Sequence, residues 1–164
     1  MIRHIVNILL WFLPPTRLFL LRNFFLQIAG IGLSQNVKFC GRSWIYGRGD
    51  LLISDDTWIS PGAIIFTHES VVINIGSRCD IGPGVEFITG THDIGTSLRR
   101  AGKGHAKAIT VGDGVWIGAK SIILGGVTIG SGSIIAAGSL VRSDVPPNSL
   151  VAGVPAVVKR SLPL

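Results

Sequence analysis

From residue 111 an aliphatic side chain recurs at every sixth position: Val111, Ile117, Ile123, Ile129, Ile135 and Val141. Neither an α-helix nor an ordinary strand has that apolar period. The segments VGDGVW, IGAKSI, ILGGVT, IGSGSI, IAAGSL and VRSDVP each predict one short strand and one turn, the unit of a parallel β-helix. The leading aliphatic points inward. The fifth position (Val115, Ser121, Val127, Ser133, Ser139, Val145) is small or β-branched, as a crowded interior corner requires. Gly112, Gly118 and Gly130 follow leading residues, where they are expected to adopt turn geometry that a Cβ would disfavour.

The phase extends upstream through Ile53, Ile59 and Ile65, then through Ile75, Ile81 and Phe87, with four extra residues at 67–70. Residues 93–108 carry no repeat and include the charged, glycine-bearing stretch SLRRAGKGHAK, which predicts an excursion loop. Loops this long inside a compact solenoid are usually functional. At about 18 residues per three-sided coil, residues 37–146 predict five or six coils and a prism roughly 25 Å tall. Pro146 and Pro147 end the solenoid, and residues 147–164 form a tail that folds back along it.

Residues 1–36 differ from the rest. An apolar run from Ile5 to Leu13 stops at Pro14 and Pro15, and Thr16 is placed to cap a second helix over residues 17–29 that ends at Gly30. Neither run reaches the roughly 18 to 20 apolar residues that cross a bilayer, and no small-residue cleavage site follows the first. Arg3, Arg17 and Arg22 beside Trp11, Phe12, Phe19, Phe24 and Phe25 suit peripheral membrane contact through residues 1–29. The same segment suits a lid over the open edge of the first coil, and the sequence leaves both readings standing.

Composition narrows the picture. The 164 residues fit one domain, and 22 glycines with 15% charged residues suit a tightly wound solenoid. Cys40 and Cys79 have no metal-ligand spacing and read as reduced thiols of a cytoplasmic protein. A formal net charge of +6 points to an anionic partner, either a membrane surface or a phosphorylated cofactor. Nucleic acid is disfavoured: the basic residues are scattered, there is one tyrosine, and no basic, aromatic stripe exists.

The stretch from Phe87 to Arg160, FITGTHDIG, a loop, then ITVGDGVWIGAKSIILGGVTIGSGSIIAAGSLVRSDVPPNSLVAGVPAVVKR, resembles the hexapeptide-repeat acyltransferases. The similarity is to the branch with galactoside and maltose O-acetyltransferases and polysaccharide acetyltransferases. It implies an all-β, left-handed parallel β-helix, an exception to the right-handed crossover rule. It implies a homotrimer with active sites between subunits, and acetyl-CoA as co-substrate without a metal. The function implied is transfer of acetyl to a sugar hydroxyl on a sugar or sugar-lipid acceptor, in cell-surface polysaccharide biosynthesis. The alternative is N-acetylation of a nucleotide-linked amino sugar. The location expected is cytoplasmic, peripheral at the inner face of the cytoplasmic membrane.

By the same resemblance His92 matches the catalytic histidine, following an FITGT-like strand and lying 24 residues ahead of Trp116. Acyl transfer to an alcohol needs a general base, and imidazole fits the task. Asp93 is adjacent, but neighbours on a strand point to opposite sides, so a backbone carbonyl or another carboxylate must orient the ring. Trp116, Gly118, Ala119, Ala137 and Gly138 match the coenzyme A groove. Arg142, Lys159 and Arg160 match the nucleotide end, where cations pair with phosphates. Val157 stands where the family usually has arginine, which shifts that role toward Lys159 or Arg160. His68, Glu69 and Asp93 are the acceptor-side candidates, and Arg99, Arg100, Lys103 and His105 are the loop groups for an anionic ligand. A zinc enzyme on this solenoid is disfavoured because His4, His68, His92 and His105 lack a close ligand pair. A noncatalytic solenoid would carry regular threonine or charge ladders, and none is present.

Overall fold

The computed structural model describes residues 1–164. Its solenoid is a left-handed parallel β-helix with three faces, closed by two helices at one end and an antiparallel strand near the other. Face A holds strands Gly32–Leu33, Asp50–Ile53, Val72–Ile75, Ile109–Val111 and Thr128–Ile129. Face B holds Lys38–Phe39, Trp58–Ile59, Asp80–Ile81, Trp116–Ile117, Ile134–Ile135 and Ser149–Gly153. Face C holds Trp44–Tyr46, Ile64–Phe66, Glu86–Ile88, Ile122–Leu124 and Leu140–Val141. Five complete coils result, and a sixth begins. The first coil opens at Gly32, ahead of the boundary expected at residue 37, and Ser149–Gly153 extends face B beyond residue 146.

Register explains the stability of the stack. Leu33, Ile53, Ile75, Val111 and Ile129 pair in sequence on face A, as do Phe39, Ile59, Ile81, Ile117, Ile135 and Val151 on face B. Ile45, Ile65, Phe87, Ile123 and Val141 complete face C. All but Leu33 are buried, and every one of these columns faces the other two across a dry core. At about 25 cal/mol per Å² of apolar area, each such aliphatic side chain contributes roughly 1.5–3 kcal/mol. The corner positions are buried too. Their hydroxyls are satisfied by backbone carbonyls: Ser121 on Ala136 (3.0 Å), Ser133 on Pro146 (2.8 Å) and Thr57 on Gly76 (2.7 Å).

The glycines after leading residues serve a different purpose from the one expected. Gly112, Gly118 and Gly130 do not have positive φ; the left-handed turn residues of these repeats are Gly114, Lys120, Gly126, Gly132 and Gly138. The constraint is coil-to-coil approach. A Cβ on Gly118 would lie 2.5 Å from the Ala137 nitrogen, and one on Gly112 would lie 2.5 Å from the Ser131 hydroxyl.

Helices α1 (Ile2–Trp11) and α2 (Phe19–Ile28) cover the first coil. Thr16 does not cap α2. A turn with Arg17 N–H on the Pro14 carbonyl carries the chain past Thr16, and Leu18, at φ 56°, is the capping residue without a side-chain bond. Polar side chains pin the lid, Asn23 on the Val37 carbonyl (2.8 Å) among them. Asn7 donates to the Ile45 carbonyl (2.9 Å) and accepts from its N–H (3.3 Å). Arg3 donates to the carbonyls of Ala29 (3.0 Å), Gly30 (3.2 Å) and Gly49 (2.7 Å) and to the Thr67 hydroxyl (3.2 Å). Arg22, wholly buried, donates to the carbonyls of Leu10 (3.1 Å) and Pro14 (3.0 Å), tying α2 to the end of α1 and the turn after it. No helix is long and apolar enough to cross a membrane.

Both cysteines are free and buried. Burial pushes the Cys40 thiol up to about 11, against a weaker opposing pull from the Arg22 charge. The folded-state value exceeds the ordinary 9.0, so the stability tied to this thiol is complete below that pH and is lost as pH rises toward about 11. Cys40→Ala should therefore flatten the fall of the unfolding midpoint across that window. Asn7→Ala removes both bonds to Ile45 and should cost about 1–3 kcal/mol in urea unfolding, with the far-ultraviolet circular dichroism unchanged.

Candidate active site

Between the third and fourth coils the chain leaves the corner joining faces C and A. The segment expected to be a loop is an antiparallel hairpin of strands Gly90–Ile94 and Ala101–Ala106. Its strands have no apolar alternation because neither side is fully buried, and backbone pairing is what chiefly holds them. His92 lies opposite Gly104, where a Cβ would sit in ordinary contact with the ring, 3.5 Å from Cε1, and only a longer side chain would press on it. The ring's Nδ1 is 3.1 Å from the Gly102 carbonyl. A carbonyl only accepts, so Nδ1 carries the proton and Nε2 keeps its lone pair. The orienting group is a backbone carbonyl.

His92 borders a groove of about 630 Å³ whose wall includes Phe66, Thr67, His68, Glu86, Thr89 and His105. His68 is held in the opposite tautomer: the Ser70 N–H donates to its Nδ1 (3.2 Å), leaving the proton on Nε2. One groove thus holds an imidazole acceptor and an imidazole donor. Glu69 is exposed on the same turn but does not line the groove. Asp93 is exposed, and its carboxylate approaches His105 Nδ1 at 3.5 Å rather than His92. Arg99 and Arg100 sit at the exposed hairpin tip, and Lys103 is exposed on its second strand. Glu86 escaped sequence reading. On face C its outward neighbours in register are Ile64 and Ile122, so it is a single acid in an apolar ladder, which the inward placement of Phe87 already signals.

The coenzyme A candidates occupy another corner. Gly118 and Ala119, then Ala137 and Gly138 one coil later, form a step of small residues where face B turns into face C, with Trp116 exposed beside it on face B. The amides of Gly118 and Gly138 bond to the Ile135 and Ala119 carbonyls, whereas those of Ala119 and Ala137 make no coil-to-coil bond. Free donors beside side chains no larger than methyl fit the amide-bearing arm of coenzyme A. Arg160 lies on strand Ala156–Ser161, opposite Leu150, and Lys159 sits at the irregularity beside it; both are exposed next to face B. Arg142 does not join them. It follows Val141 at the corner between faces C and A, on the His92 side of the prism. Within one chain, face C separates His92 from the small-residue step. No group of three or more His, Cys, Asp or Glu side chains is arranged to hold a metal.

The family model described as "Bacterial transferase hexapeptide (six repeats)" matches residues 108–143. Galactoside O-acetyltransferase of Lactococcus lactis is 36% identical over 128 residues, covering 78% of this chain and 54% of that protein. The Escherichia coli galactoside O-acetyltransferase is 40% identical over 94 residues, covering 57% and 46%. A hexapeptide-repeat acetyltransferase from Vibrio cholerae, solved in complex with acetyl-CoA, superposes with a TM-score of 0.75 at 29% identity, covering 99% of this chain and 86% of that one. The chain is similar to the hexapeptide-repeat acyltransferases in sequence and fold. A galactoside acetyltransferase solved with coenzyme A gives a TM-score of 0.70 at 26% identity, covering 98% and 79%. The chain spans about half the length of the curated hexapeptide-repeat relatives it matches. The segment matched to the hexapeptide-repeat model carries Trp116, Gly118, Ala119, Ala137, Gly138 and Arg142, while His92 lies ahead of it in the hairpin.

Gly104→Val should push the His92 ring off the Gly102 carbonyl without disturbing the buried columns. Nitrogen NMR of the ring should then show loss of the Nδ1-protonated form at an unchanged unfolding midpoint; an unaltered tautomer would show that the carbonyl does not set it.

Proposed function

We propose that this chain is an acetyl-CoA-dependent O-acetyltransferase acting on a sugar hydroxyl, with His92 as general base. The observation that carries the reading is the His92 ring, fixed through Nδ1–H on the Gly102 carbonyl with Nε2 free, at the edge of a polar groove. Nε2 takes the proton of the acceptor hydroxyl as that oxygen forms a bond to the thioester carbonyl carbon. The carbon–sulfur bond then breaks, and the departing thiolate receives the proton from the imidazolium. Glu86 and the His68 Nε2–H are the groups suited to grip neighbouring sugar hydroxyls, one accepting and the other donating. The galactoside O-acetyltransferase relatives and the acetyl-CoA complex of the Vibrio cholerae protein favour this donor and acceptor class.

The site is completed by a neighbouring protomer in a homotrimer. Face C supplies the surface for that contact: apart from Glu86, its outward residues Trp44, Tyr46, Ile64, Phe66, Ile88, Ile122, Leu124 and Leu140 are apolar, with Tyr46 stacked on Phe66 at 4.9 Å. Such a ladder along the height of the prism marks a subunit interface. The corner bearing His92 borders this face on one side and the small-residue step borders it on the other. Apposed protomers can therefore bring together what one chain holds apart. A cytoplasmic location and a role in cell-surface polysaccharide synthesis belong to the same proposal, the first resting on two reduced, buried thiols.

Mass spectrometry of sugars incubated with acetyl-CoA tests the reading. His92→Ala should lower kcat by about 10²–10⁴-fold with little change in KM or unfolding midpoint. Turnover equal to that of the unaltered protein would remove His92 from the role, and transfer only to an acceptor bearing an amine at the same carbon would replace O- by N-acetylation.

A further inference from the structure

The two lid helices carry large apolar side chains on both sides. One side of α1 (Val6, Leu10) and of α2 (Leu26) is buried on the first coil. The other side repeats the helical period outward: Ile2, Ile5, Leu9 and Phe12, then Leu20, Leu21, Phe24 and Ile28, all exposed, with Phe12 at 81% and Leu20 at 89%. A contiguous apolar stripe of this size marks a surface that meets something other than water. Face C, the surface assigned to the neighbouring protomer, is lateral and meets the lid only where Phe12 and Arg42 share a groove with Trp44, Tyr46 and Ile64; the rest of this second stripe covers the end of the prism.

Charge identifies what meets it. Lysine and arginine are scattered along the sequence, but acidic residues are not: none precedes Asp50. Residues 1–49 hold six basic side chains, and the nine basic and nine acidic side chains from residue 50 onward cancel, so the entire net charge of +6 sits at the lid end. Arg3 and Arg22 are engaged in holding the lid. The other four are exposed and ring it. Arg17 lies in the turn between the helices, Lys38 on face B over the Trp58 ring, Arg42 at the corner of faces B and C, and Arg48 at the corner of faces C and A.

We propose that the lid end docks on an anionic lipid bilayer, the outward stripes of α1 and α2 entering the headgroup and acyl boundary while Arg17, Lys38, Arg42 and Arg48 pair with lipid phosphates. Apolar side chains surrounded by cations are the arrangement that interfacial binding requires: area buried from water supplies the affinity, and the cations select anionic lipid. The helices lie in the interface and do not span it. This surface is separate from the His92 groove, and the inference stands whether or not the acetyl-transfer reading does.

Flotation of the full chain with phosphatidylcholine vesicles, and with vesicles containing equal parts phosphatidylglycerol, tests it. Binding to the anionic vesicles should be at least about tenfold stronger and should weaken with salt, each cation contributing about fivefold. Leu20→Gln with Phe24→Gln should reduce binding about tenfold or more at an unchanged unfolding midpoint and unchanged oligomer mass. Arg17→Gln with Arg42→Gln should erase most of the preference for anionic lipid. No flotation of the unaltered protein would overturn the proposal, as would full binding by the Leu20/Phe24 variant. So would a drop in oligomer mass in that variant, since the stripe would then be covered by a second copy of this chain.

Discussion

Everything in this molecule depends on the vertical registration of inward aliphatic side chains. One leading residue per six positions suffices because three such columns face one another at a separation that leaves no room for water. Burial of the columns is near complete, and it is repeated coil after coil. A solenoid of this kind has no thick core to absorb errors; a shift of one residue would turn the columns outward on that face. The same registration places whatever the outward residues carry, so chemistry on a face or corner is fixed by counting along the chain.

Interruptions of the count are where function collects. Four residues inserted at 67–70 and the longer insertion at 90–106 leave the prism at the same corner, one coil apart, and between them hold two histidines in opposite tautomers. Neither insertion disturbs the columns: Ile53 pairs with Ile75, and Ile75 with Val111, as though the extra residues were absent. Separation of the scaffold from the excursion explains how hydrogen-bonded backbone in an exposed hairpin can position a ring without stability being lost from the core.

How far the sequence revealed this varies with the physics of each feature. The columns from Ile53 to Val141 were legible because burial imposes a period that no other element shares. The first coil was not fully so: its leading residues Leu33 and Ile53 are twenty positions apart, and Gly32–Leu33 presents one apolar side chain in place of a pattern. The hairpin read as a loop because strands exposed on both sides leave no alternation. The glycines at 112, 118 and 130 were visible but given the wrong cause, since close approach between coils and left-handed φ select the same residue. Resemblance puts Arg142 with Lys159 and Arg160 at the nucleotide end, although counting from Val141 places it at the corner between faces C and A. Glu86 was readable as the one acid in an apolar outward ladder, yet that ladder appears only when the coils are aligned.

The central claim is that apposition of two prisms unites what a single chain separates: the free Nε2 of His92 on one protomer and the step at Gly118 and Ala137 on the next. A crystal structure with coenzyme A and a sugar acceptor measures this directly. The account predicts the thiol in a cleft between protomers and the acceptor hydroxyl within about 3 Å of His92 Nε2. Coenzyme A bound along a corner with no His92 near its sulfur would contradict it.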